Sequence, residues 1–72
     1  MLLVKLECRK IAVEELVELL SDYAELGFRV WLYDKKVYAI FKISSMSVLK
    51  QLIDKLNAIQ HLKFKFYRIE EV

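Results

Sequence analysis

The chain has 72 residues, 57% of them apolar, with one glycine, no proline, one cysteine and a net charge of +2. That length makes one domain, near the size at which a single core becomes marginal. No apolar run reaches the roughly 20 residues of a membrane span, and the start MLLVKLECRK lacks the apolar segment and cleavage site of a signal peptide, so a cytoplasmic protein is expected.

Charge is laid out unevenly. Residues 11–27 carry Glu14, Glu15, Glu18, Asp22 and Glu25 with no Lys or Arg, whereas residues 28–68 are dominated by Lys and Arg against Asp34 and Asp54. A partner would therefore meet a polar molecule rather than a neutral one. Abundant Lys and Glu, with Asn57 the single asparagine, point toward a heat-loving source.

Residues 2–8 alternate apolar and polar side chains, the pattern of a strand. Cys8 lies on the side of Val4 and Leu6, so it is expected to be a buried core thiol, and one cysteine excludes an internal disulfide. From Val13 the spacing becomes helical. Val13, Leu16, Val17, Leu20 and Ala24 are expected to face inward with the acidic residues opposite. Gly27 follows where a left-handed residue would stop that helix.

The run GFRVWLYDKKVYAIFKI, residues 27–43, reads with period two on either side of Asp34-Lys35-Lys36 and predicts a β-hairpin. One face is apolar: Phe28, Val30, Leu32, Val37, Ala39, Phe41 and Ile43. The other carries Arg29, Trp31, Tyr33, Tyr38, Ile40 and Lys42. A two-residue loop at Lys35-Lys36 would set Arg29 directly opposite Lys42, a locally unfavourable pair. Ser44, Ser45 and Ser47 offer caps for a second helix with Leu49, Leu52, Ile53, Leu56 and Ile59 inward, fading near Gln60-His61. KFKFYRI at 63–69 alternates again, with Phe64 and Phe66 inward and Lys63, Lys65, Tyr67 and Ile69 outward.

The order β-α-β-β-α-β is the split βαβ plan, an α+β, ferredoxin-like domain over residues 1–72. Right-handed crossovers would put both helices on one face of a four-stranded antiparallel sheet and leave the other face open. That open face should gather Leu3, Lys5 and Glu7 with Arg29, Trp31, Tyr33, Tyr38, Ile40, Lys42, Lys63, Lys65, Tyr67 and Ile69. A contiguous aromatic and aliphatic patch edged by cations seldom stays bare, and its residues from Arg29 to Tyr67 are the expected contact surface for a second copy or a paralogue, or for RNA.

Catalytic signatures are missing. Neither GxxxxGKS nor GxGxxG occurs, so the phosphate loop that small acyl-phosphate hydrolases of this fold class need is absent. No Cys/His cluster has metal-ligand spacing. His61 reads as a helix-end residue, and a Cys8–His61 pair would have no third group to orient it. No catalysis, cofactor or metal is expected.

The run GFRVWLYDKKVYAIFKISSMSVLKQLIDKL combines a Gly-apolar-Arg-Val strand (Gly27, Phe28, Arg29, Val30) with a short charged turn and a second strand. The Ser-apolar-small-x-Leu-basic helix start from Ser45 to Lys50 then follows, continuing through Ile53-Asp54. Together these resemble the small dimer-forming subunit of the KEOPS complex, which makes threonylcarbamoyl-adenosine in tRNA, or its archaeal paralogue. Lys50 stands where that family usually has Arg, and KFKFYRI lies beyond the resembling segment. The resemblance implies a non-catalytic adaptor. It would form a homodimer, or a heterodimer with a paralogous small subunit, dock its helices on the catalytic subunit, and add basic surface for tRNA.

On the helix side Leu19, Met46 and Val48 fall off the inner stripes, beside Lys50 and the acidic residues. An apolar spot in a charged rim is the anatomy of an interface, and these four residues are the expected docking surface for the larger partner. Two other functions remain open. A stand-alone RNA or single-stranded DNA binder would stack bases on Trp31, Tyr33, Tyr38 and Tyr67, although Leu3, Ile40 and Ile69 make the face greasier than such a platform needs. The third is a small-molecule regulatory domain that dimerises through its sheet, for which no glycine-lined ligand loop is present.

Overall fold

A computed structural model describes all residues from Met1 to Val72. Six elements follow in order: β1 (Leu2–Arg9), α1 (Val13–Tyr23), β2 (Glu25–Tyr33), β3 (Lys36–Ile43), α2 (Met46–Asn57) and β4 (Lys63–Glu71). The strands form one antiparallel sheet in the order β2-β3-β1-β4, the ferredoxin-like α+β arrangement. No helix is long and apolar enough to cross a membrane.

Period-two alternation on the central strands turns Leu2, Val4, Leu6 and Cys8 of β1, and Val37, Ala39, Phe41 and Ile43 of β3, toward the helices. Leu16 and Leu20 of α1 and Leu49, Leu52 and Leu56 of α2 close the core over them. Val17 differs from its expected inward position and is substantially exposed, while Leu19 packs against the core. Burial pushes the Cys8 thiol up to about 12. Native protein at pH 8 should therefore resist a thiol reagent that modifies one cysteine per chain after denaturation. Fast modification of folded protein would place Cys8 outside the core.

Local chemistry corrects three boundaries. α1 ends at Tyr23 because Ala24 is already extended, although its N–H still donates to the Leu20 carbonyl at 2.8 Å. Gly27 is thus not the helix stop. With Leu26 it forms an irregularity inside β2, at φ 59° for Leu26 and 90° for Gly27, between the Glu25–Lys42 and Phe28–Phe41 pairs. The hairpin turns on Asp34-Lys35, both left-handed at φ 51° and 64°, not on Lys35-Lys36. Tyr33 therefore pairs with Lys36, and Arg29 faces Ile40 rather than Lys42, which removes the expected like-charge contact. α2 begins as its serines suggest: Ser45 Oγ accepts the Val48 N–H at 3.4 Å.

A second irregularity lies in β4. Lys5 pairs with Arg68 but Leu6 with Phe66, so Tyr67 is an extra residue. One extra residue inverts the face of everything beyond it. Ile69 accordingly pairs with Val4 on the helix side, not on the open face where alternation had put it. Arg68 and Glu70 take the open face instead and form an ion pair.

Candidate interaction face

The open face is built by side chains that alternate out from all four strands. Trp31 of β2 and Tyr38 of β3 are paired residues, and their rings stack at 5.7 Å between centroids and 16° between planes. Tyr67, displaced by the β4 bulge, stacks on the far side of Tyr38 at 6.1 Å and 15°. Lys65 continues the row, its Nζ 4.9 Å from the Tyr67 ring centre. Three rings and a cation thus cross the sheet, with Trp31 43% and Tyr67 51% exposed.

Beneath this row sits Glu7 of β1, 6% exposed and the only buried charged residue. Its Oε1 accepts from Tyr67 Oη at 2.6 Å and Tyr38 Oη at 3.3 Å, and lies 3.6 Å from Lys36 Nζ. The two phenols and the ammonium satisfy the carboxylate, and the carboxylate holds both rings in place. The Tyr67 hydrogen bond, ahead of the opposing loss of hydration, holds Glu7 below its ordinary 4.5. The same bond raises the Tyr67 phenol above its ordinary 10.

These shifts give a pH dependence of defined sign. A lowered carboxyl pKa adds stability that is present above 4.5 and lost as pH falls through the lower folded value. A raised phenol pKa adds stability that is present below 10 and lost as pH climbs through the higher folded value. Glu7→Gln should therefore be less stable than wild type at pH 7, with the gap closing below about pH 4.5 in denaturant titrations. A gap that is constant from pH 7 to pH 3 would mean that the carboxylate does not hold the row.

The structure brings Arg29, Trp31, Tyr38, Ile40 and Tyr67 together with Lys5 around a cleft of about 370 Å³. Lys42 and Arg29 border a second, shallower groove with Leu3 and Ile40. Lys63 and Lys65 lie at the other end of the sheet with Arg9. Tyr33 is exposed at the hairpin tip, apart from the stack. The role of Glu7 was not evident in the sequence, because it depends on register: Glu7 is the direct partner of Tyr38 on one side and Lys65 on the other.

The expected helix-side spot is divided. Leu19 lies in a groove with Glu15, Glu18 and Asp22 and with Lys55 and Ile59 near the end of α2, while Met46, Val48 and Lys50 belong to its start. Leu19 and Val48 are half-buried against the core, which leaves Met46 and Lys50 open to solvent. Comparison with protein-family models, with curated proteins and with solved structures finds no match for the chain.

Proposed function

We propose that the chain is a non-catalytic adaptor subunit whose open sheet face docks on a protein partner. The carrying observation is the stack of Trp31, Tyr38 and Tyr67, exposed to solvent while the phenols are already hydrogen-bonded to Glu7. Covering such rings removes apolar surface from water without stripping a hydroxyl of its partner, so the usual cost of burying tyrosine is small. Lys5 and Arg29 border the stack as a polar rim.

The resemblance, whose motifs lie in residues 27–56 and which the first strand and the acidic helix fit in order and length, supplies the biological setting: a cytoplasmic complex that makes threonylcarbamoyl-adenosine in tRNA. In that setting the helix side, with Met46 and Lys50 exposed, would meet the catalytic subunit. A tRNA contact is favoured by Arg9, Lys63 and Lys65 at one end of the sheet. Tyr38 is stacked on both sides and Tyr67 lies between Tyr38 and Lys65, which leaves bases only the outer face of Trp31, so RNA would be held mainly through phosphate.

Titrating the chain with the threonylcarbamoyl-transferring subunit and, separately, with tRNA tests this reading. The expected results are a stoichiometric protein complex and weak tRNA binding. The latter should lose affinity with a log–log salt slope of about −0.7 per phosphate on single strands. Tight tRNA binding by the isolated chain that Trp31→Ala abolishes, with no protein complex, would overturn the adaptor in favour of a base-stacking module.

A further inference from the structure

Two rows of side chains cross the open face next to one another. One is the stack of Trp31, Tyr38 and Tyr67. The other is Arg29, Ile40 and Lys5, which pair directly across β2, β3 and β1. These three lie two positions along their strands from Trp31, Tyr38 and Glu7, so the rows are roughly 7 Å apart. The cleft of about 370 Å³ opens between them. Leu6 and Ala39 turn their side chains to the core, and their backbone forms its floor.

The free hydrogen-bonding groups of this cleft are of one kind. Tyr38 and Tyr67 donate their protons to Glu7. The ion pairs of the chain engage Met1, Lys36 and Arg68, which leaves Lys5 and Arg29 unmatched. No acidic side chain lines the cleft, although Lys5 is half-buried there. Two cations and the indole N–H of Trp31 therefore select an occupant that accepts hydrogen bonds and carries negative charge. Ile40 and the aromatic rings select an apolar body.

The place of the cleft in the sheet restricts the occupant further. Tyr38, Ile40 and Lys5 belong to central strands, paired on both sides. No peptide backbone can add to them as a strand, so recognition rests on side chains alone. The volume is near the lower end for a small-ligand site.

From these features we infer that the cleft binds a small free carboxylate with a flat apolar body, an arylalkanoate in chemical class. Arg29 and Lys5 hold the carboxylate from either side of Ile40, the guanidinium through paired N–H groups. The body lies over Ile40 against the Trp31–Tyr38 stack. This site belongs to the free chain and does not depend on the protein partner proposed above.

Trp31, the only tryptophan, reports occupancy through its fluorescence, excited where a phenyl ring does not absorb. Hydrocinnamate should give a saturable change with a dissociation constant of about a millimolar, in line with its roughly ten heavy atoms. Phenethylamine has a similar body with a cation, and acetate has the charge without the body. Both should bind at least about tenfold more weakly. Lys5→Gln combined with Arg29→Gln should cost hydrocinnamate at least about tenfold and leave the circular dichroism spectrum unchanged. An N-acetylated tripeptide ending in phenylalanine carries the same benzyl and carboxylate groups on a chain, and should bind no tighter. An absent or unsaturable response, equal binding of the amine or of acetate, or full binding by the double variant would overturn the site. A tripeptide that binds about tenfold tighter would overturn the free ligand in favour of a peptide terminus. Each of these results is read without the protein partner, so none of them touches the adaptor reading.

Discussion

Phe41→Ala should cost about 3–5 kcal/mol of folding free energy. Phe41 is 2% exposed and is the largest fully buried side chain, on the strand between β2 and β1. Leucines from both helices share its core, so truncation leaves a cavity that several rigid elements cannot close. A 72-residue domain has about 4–11 kcal/mol in total, so the variant should sit at the margin of folding. The denaturation midpoint measures it. A loss below about 1 kcal/mol would mean that the core collapses around the missing ring.

Trp31→Ala should act on association instead. Trp31 is 43% exposed, stacks on one ring only, and lies in the cleft bordered by Lys5 and Arg29. Its removal forfeits one aromatic pair, about 0.5–1.5 kcal/mol, and opens no cavity in the core. At an interface the same residue is of the type that dominates binding, where truncation costs about 2 kcal/mol or more. The partner's dissociation constant should thus rise about 30-fold while the denaturation midpoint moves little. Met46→Glu is the contrasting change on the helix side. It should weaken only the contact made there, since Met46 is exposed on α2.

The fold was legible because period switches from 2 to 3.6 and back without ambiguity. Val4, Leu6 and Cys8, then Leu16 and Leu20, then Phe41 and Ile43 each fall on the side that alternation or helical spacing assigns. What escaped were irregularities that shift a register by one or two residues. Asp34 is a residue that tolerates the first left-handed position of a tight hairpin turn, but Lys35 in the second, where glycine is usual, hid the turn. Nothing in KFKFYRI signals that Tyr67 is the extra residue of a bulge, and that one residue reverses Ile69. The helix boundary at Ala24 was concealed by the more conspicuous glycine three positions later.

The same reasoning explains the face. Its membership could be read from alternation, but its organisation could not. Stacking of Trp31 on Tyr38 requires the register set by the Asp34-Lys35 turn, and stacking of Tyr67 requires the bulge. Glu7 becomes the hub only because both devices bring phenols to one carboxylate oxygen. Leu32, by contrast, was assigned to the core by its parity. It is exposed because β2 is an edge strand that extends past the helices' cover.

Trp31 is the only tryptophan, so labelling the chain with 5-fluorotryptophan gives one fluorine signal on the face itself. In the free chain that signal should respond strongly to a paramagnetic probe in solvent. When the protein partner proposed for the open face is bound it should shift and lose that response, because a protein surface then covers the stack. A signal with unchanged position and unchanged solvent response in a stable complex would contradict the account.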